Sequence, residues 1–120
     1  SIQMCMQELG TIAAENLPVK VVVLNNGYLG MVRQWQEMFY KGRYKEVDLR
    51  RGTPDFVKLA EAYGIKGMRV TRRGDLAAAM AEAKAHPGPV FMDVRCEAEE
   101  NVFPIVPPGR ANTEALLKQG

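Results

Sequence analysis

The sequence predicts an α/β fold: a three-layer α-β-α arrangement around a mostly parallel sheet. Three observations predict it. Short apolar runs rich in β-branched residues alternate with stretches of helical period, the order expected of a parallel sheet. The first run, Val19 to Leu24, is apolar almost without interruption, as in strands covered on both faces. That run ends in Asn25-Asn26-Gly27 and is followed by helical period, so the Asn-Gly pair does not open a hairpin.

The elements follow in order. Ile2, Cys5, Met6, Leu9, Ile12 and Ala13 recur at helical spacing, which predicts an amphipathic helix with Ser1 as its N-cap and Asn16-Leu17-Pro18 as its stop. Cys5 falls on its apolar face and is expected in the core. After the strand over 19–24, Tyr28, Met31, Val32, Trp35, Met38 and Phe39 predict a second helix. The polar stretch 41–52 has no clear period. Thr53-Pro54-Asp55 predicts a helix start: a capping hydroxyl, a proline in the first turn and an acid near the positive dipole end. Phe56, Leu59, Ala60 and Tyr63 supply the apolar face of this helix, and Gly64 its C′ residue. A strand over 65–71, an alanine-rich helix over 74–85 and a strand over 90–95 come next. The proline-rich stretch 97–110 is irregular, and a short helix is expected over 112–119. Three strands are few for such a sheet.

The chain has 120 residues, enough for one modest core. Net charge is +2, from 16 basic and 14 acidic residues, which argues against nucleic acid and membrane surfaces as partners. No apolar run approaches the roughly 20 residues of a membrane span. The opening Ser1-Ile2-Gln3-Met4 has no positive region, so no secretory leader is expected. Cys5 and Cys96 are far apart and lack a CxxC partner, so reduced, partly buried thiols in a cytosolic (cytoplasmic) protein are expected. The basic residues from Arg33 to Arg51 are interleaved with Trp35, Phe39, Tyr40 and Tyr44. Glu37, Glu46 and Asp48 dilute that patch too far for nucleic-acid binding.

Asn25-Asn26 is the candidate site. It falls at the carboxyl end of a parallel strand, the edge where ligands bind in open α/β sheets. Two readings stay open on the residues alone. The amides face a ligand, offering oxygen to a hard cation such as Mg²⁺, or they cap a turn. Trp35 reads by spacing as a core or interface aromatic, and Met31 as a gap-filler. Gln34 and Gln36 are expected to be solvated, with at most one hydrogen bond into the site. Asp93 alternates with Val90, Met92 and Val94, and is expected to cap a neighbouring backbone with no part in catalysis.

The stretch SIQMCMQELGTIAAENLPVKVVVLNNGYLGMVRQWQEMFY resembles the thiamine-diphosphate-binding domain of acetolactate synthase (acetohydroxyacid synthase), large catalytic subunit. The likeness covers essentially the whole chain and rests on LGMVRQWQ after Asn-Asn and MQELxT before it. The tail from Glu100 to Gly109 resembles the family's C-terminal arm. The family motif is Gly-Asp-Gly, roughly 25 residues, then Asn-Asn, so the resemblance implies a chain truncated just after the Gly-Asp-Gly. It implies a partial thiamine-diphosphate-binding domain over 1–96 and an arm or lid over 97–120. It also implies a mobile loop beside the active site over the basic stretch.

The implied cofactors are thiamine diphosphate and Mg²⁺, with FAD in the intact subunit at a site outside this sequence. The implied metal ligands are the side-chain oxygen of Asn26 and the main-chain carbonyl of Tyr28. Ser1, Asn26, Tyr28, Leu29, Gly30 and Met31 are the implied cofactor contacts, and Met31 and Trp35 the implied substrate-channel lining. In the family the tryptophan also shapes acceptor preference and contacts inhibitory herbicides. No catalytic side chain is expected in this stretch. The implied activity is decarboxylation of pyruvate and its condensation with a second 2-ketoacid, giving 2-acetolactate or 2-aceto-2-hydroxybutyrate in isoleucine, valine and leucine biosynthesis. The implied assembly is a homodimer or tetramer of catalytic subunits with a regulatory small subunit, and this stretch alone is expected to be inactive. A 2-ketoacid decarboxylase or oxidase using the same cofactor, or a non-catalytic α/β module, are the alternatives.

Overall fold

A computed structural model describes residues 2–117. The chain divides into two compact units. The first holds the chain up to Asn26 together with Gly52–Cys96; the second holds Gly27–Arg51 and the chain from Glu97 onward.

The first unit contains a three-stranded, all-parallel sheet of β1 (Lys20–Asn25), β2 (Lys66–Val70) and β3 (Val90–Arg95), in the order β1-β3-β2. Lys20 and Lys66 both pair with Val90, which sets the register of the two outer strands against the central one. Side chains alternate along each strand, so odd and even positions build two cores. On one face α1 (Glu8–Ala14) and α3 (Phe56–Ala62) bring Leu9, Phe56 and Ala60 against Phe91, with Val21 and Val23 at the margin. Phe56 and Phe91 stack with centroids 5.7 Å apart. On the other face α4 (Leu76–Ala85) brings Ala83 and Ala79 against Val70, Val90, Met92 and Val94. The predicted three-layer α/β architecture is thus present. β3 is covered on both sides, which is why every residue from Val90 to Val94 is buried.

Four local expectations are corrected. The first helix does not run from the chain start. Ile2–Met4 is a 3₁₀ turn, and α1 begins only at Glu8. The N–H groups of Cys5, Glu8, Leu9 and Gly10 each bond three residues back, a tighter winding than the 3.6 period assumed. Cys5 is thereby rotated off the apolar face and is exposed; Cys96, just past the end of β3, is exposed too, and both are free thiols. α3 is capped by Asp55, not Thr53. The Asp55 carboxylate accepts from Val57 N–H at 3.0 Å and Lys58 N–H at 3.2 Å, and two such bonds outweigh the one a hydroxyl offers. Gly64 is left-handed (φ +74°) after the helix end, as expected of a C′ glycine. The last predicted helix is reduced to a 3₁₀ turn, Asn112–Glu114, followed by an isolated bridge between Ile105 and Leu116; its expected end lies outside the described residues.

In the second unit, α2 spans Gly30–Phe39. Tyr28, predicted as its first apolar residue, instead forms an antiparallel bridge with Asp48. The irregular stretch behind α2 folds back as Leu49 N–H donates to Gly27 O and Leu29 N–H to Val47 O, both at 2.9 Å. Among the described residues no helix is long and apolar enough to cross a membrane.

Candidate functional site

In the first unit, Asn25 ends β1 at the carboxyl edge of the sheet and is buried, while Asn26 follows it half-buried. The two amides therefore differ in environment. Asn25 Nδ2 donates to Asp93 Oδ1 at 2.8 Å, and Asn25 O accepts from Cys96 N–H at 3.0 Å. As expected, Asn26-Gly27 is not a hairpin tip: β1 pairs in parallel with β3. Asp93, set aside in the sequence reading, is fully buried and central. Its Oδ2 accepts from Arg69 Nε at 3.1 Å and pairs with Arg95 Nη2 at 3.2 Å. Arg69 Nη2 also reaches Asp55 Oδ1 at 2.6 Å. That guanidinium, together with the two helix N–H groups, holds the Asp55 carboxyl below the usual range. Arg69 is in turn held above its ordinary value, first by Asp55.

In the second unit, Tyr28 is the non-hydrogen-bonded partner of Asp48. At such a pair the bonds to the neighbouring segment come from the flanking residues, here Gly27 and Leu29, so the N–H and C=O of Tyr28 face away from it. Leu29 is the N-cap of α2 and makes no side-chain cap. The first N–H groups of the helix, on Gly30 and Met31, therefore have no capping side chain from that position. One helical turn apart, Met31 and Trp35 line a single groove of about 390 Å³ with Val32, Gln36 and Tyr40. Trp35 packs edge-on to Phe39, centroids 5.6 Å apart.

Two residues of α2 depart from expectation. Gln34 is 1% exposed, not solvated. Its Nε2 donates to Val102 O and its Oε1 accepts from Val102 N–H, both at 2.9 Å. The side-chain amide thus pairs with a peptide unit as a neighbouring strand would. Gln36 does the same with Lys45, donating to its O at 3.1 Å and accepting from its N–H at 2.9 Å. Arg33, the first residue of the basic stretch, is buried. Its guanidinium lies 5.6 Å from the Tyr28 ring centre and 4.9 Å from that of Tyr44, and pairs with Glu37 at 3.0 Å. Arg50 sits 5.0 Å from the Tyr28 ring centre. Its guanidinium and its N–H hold the Asp48 carboxyl down at about 2, against an ordinary 3.8. A buried guanidinium stacked on tyrosines carries no periodic signal, so spacing could not reveal it. Ser1 lies outside the described residues.

Residues 1–94 match the family model described as "Thiamine pyrophosphate enzyme, C-terminal TPP binding domain". An acetolactate synthase of Arthrospira platensis is 48% identical over 116 residues, 97% of this chain and 20% of that protein. The acetolactate synthase isozyme 2 large subunit of Escherichia coli (strain K12) is 46% identical over 118 residues, 98% of this chain and 21% of that one. Among solved structures, a Rhodococcus jostii RHA1 thiamine diphosphate-dependent 4-hydroxybenzoylformate decarboxylase aligns with TM-score 0.73 and 30% identity over 82% of this chain and 19% of that chain. The chain spans about a fifth of the length of these relatives. With the family model matched from residue 1 to residue 94 on an all-parallel sheet, the chain belongs to the C-terminal, thiamine pyrophosphate-binding domains of thiamine pyrophosphate enzymes.

Proposed function

We propose that this chain is part of the large, catalytic subunit of an acetolactate synthase, which decarboxylates pyruvate and joins it to a second 2-ketoacid. The observation that carries the reading is an Asn-Asn pair at the carboxyl tip of a parallel strand, in a chain 46–49% identical to acetolactate synthases over nearly its whole length. Thiamine diphosphate bound with Mg²⁺ supplies the nucleophilic carbon and the electron sink that the reaction needs.

The residues present fit that group. Asn26 offers a carboxamide oxygen and Tyr28 a main-chain carbonyl turned away from its bridge partner, both hard oxygen donors of the kind Mg²⁺ takes beside phosphate and water. Leu29, Gly30 and Met31 would border the cofactor where α2 begins without a side-chain cap. Met31 and Trp35 would line the substrate channel: with Val32 and Tyr40 they give their groove a mainly apolar lining. Residues 97–120 would form the arm or lid of a domain whose body is residues 1–96. The intact subunit would bind FAD elsewhere, assemble as a homodimer or tetramer with a regulatory small subunit, and work in the cytoplasm.

The test is product analysis on the full-length subunit with pyruvate, Mg²⁺ and thiamine diphosphate. Accumulation of 2-acetolactate is expected. A decarboxylase is the second reading, favoured by the likeness to the Rhodococcus jostii structure; it predicts release of the aldehyde without carbon–carbon bond formation. Trp35→Leu should change the ratio of 2-aceto-2-hydroxybutyrate to 2-acetolactate when both ketoacids compete. An unchanged ratio would remove Trp35 from the channel.

A further inference from the structure

Among the described residues the buried polar side chains are Asn25, Arg33, Gln34 and Asp93. Asn25 and Asp93 touch each other, at the carboxyl edge of the sheet. A fully buried carboxylate is tolerated only when its lone pairs are filled, and a well-packed apolar group is often as stabilising in its place. Here Asp93 is filled from three directions: Asn25 Nδ2, Arg69 Nε and Arg95 Nη2. Arg69 carries the chain of contacts on to Asp55, which caps α3. One end of the arrangement is thus anchored in β2 and α3, and the other end grips the tip of β1.

At that tip Asn25 is held twice. Asp93 fixes its side chain, and Cys96 N–H fixes its carbonyl, which belongs to the peptide plane joining Asn25 to Asn26. With that plane and the Asn25 rotamer both set, the N and Cα of Asn26 are placed before any ligand arrives, so its carboxamide starts from a fixed point and only its own torsions are left to order. We propose that Asp93 is a positioning residue for the cofactor site: acting through Asn25, it presets the Asn26 carboxamide for Mg²⁺ bound to the cofactor diphosphate. This rests on the reading of Asn26 as a metal ligand. The first asparagine of the pair is then the anchor and the second the ligand. Preorganisation of this kind acts by removing the ordering cost of binding.

The test uses the full-length subunit and three variants. Asn25→Leu removes the donor to Asp93 while keeping the number and branching of the side-chain heavy atoms. Asp93→Asn removes the charge that gathers the two arginines. Asn26→Ala is the ligand control. Two readouts are taken against Mg²⁺ at fixed thiamine diphosphate: the rise in melting temperature, which reports binding without turnover, and the activation constant with kcat at saturating metal. Outer partners of a metal ligand commonly change affinity by about 10–100-fold, so Asn25→Leu and Asp93→Asn should weaken Mg²⁺ at least about tenfold in both readouts. Saturating metal should restore kcat. A residue that only holds the sheet together would lower the cofactor-free melting temperature and leave the Mg²⁺ constant alone; that result overturns the proposal. If Asn26→Ala weakens Mg²⁺ and the other two do not, the positioning role fails and the metal site stands. If Asn26→Ala leaves Mg²⁺ unchanged, the metal site itself fails. Should Asp93→Asn not fold, Asn25→Leu decides alone, since it leaves Asp93 with both arginines.

Discussion

Replacing Gln34 by leucine should loosen the segment from Glu97 onward while leaving α2 intact. Leucine matches glutamine closely in volume and in helix propensity, so the change removes two hydrogen bonds to Val102 without opening a cavity. Both bonds are 2.9 Å long. Val102 as a residue is 58% exposed, so its N–H and C=O reach water once the segment opens. The net value of about 0.5–1.5 kcal/mol per bond is then appropriate, or about 1–3 kcal/mol for the pair. At about 1.4 kcal/mol per decade, that is roughly a 5- to 150-fold change in the opening equilibrium. Native-state hydrogen exchange reads it at the amides of Val102, Ile105 and Leu116, each of which donates a hydrogen bond in this unit. Gln34→Glu keeps an acceptor for Val102 N–H and loses the donor, so it should fall between. Unchanged protection at those amides in Gln34→Leu would refute the idea that this side chain ties down the segment.

Three further outcomes are expected. A Cβ at Gly67 would lie 2.8 Å from Val57 O and 3.1 Å from its Cα, backbone that cannot swing aside, so Gly67→Ala should cost about 1–3 kcal/mol in a denaturation midpoint; a neutral result would mean that α3 can ride away from β2. The Asp48 carboxyl is depressed, so its contribution to the pairing of 27–29 with 47–49 is present above its ordinary value of 3.8 and lost as pH falls towards 2. An NMR titration should find its midpoint near 2, moving up with added salt; a midpoint at 3.8 would dismiss the Arg50 clamp. Finally, the 120-residue chain expressed by itself should self-associate, because Val22 and Leu24 of edge strand β1 are 40% and 71% exposed; light scattering from a stable monomer would contradict this.

What could be read in advance was whatever depends on neighbours in sequence. Val19 to Leu24 and Val90 to Val94 announce strands because a short, mainly apolar run is a local signal. The face of α3 built from Phe56, Leu59, Ala60 and Tyr63 was visible as period. The misreadings share a different cause. At the chain start the period was measured correctly but the winding was 3₁₀, which moved Cys5 outward. At the second helix Tyr28 had the right spacing, yet its backbone was claimed by a segment twenty residues on. Asp93 looked idle on its own strand because Asn25, Arg69 and Arg95 reach it from one face of three strands. Gln34 looked solvated because its partner is a peptide group, and a peptide group has no sequence signature. The candidate residues stand out in sequence where they form a motif, Asn25-Asn26 and Met31 to Trp35, and the charges gathered on Asp93 do not.

The strand order β1-β3-β2 has a consequence for how the chain is made. A ribosome delivers the two outer strands first and the middle one last. Among the described residues, β1 and β2 find their hydrogen-bonded neighbour only when Val90 to Arg95 emerges. The joining of β1 to β2 therefore waits for this last strand and for the closure of a long loop between Lys20 and Val90. Through that interval the nascent chain presents unpaired apolar strands, the kind of surface that chaperones hold and that neighbouring polypeptides capture.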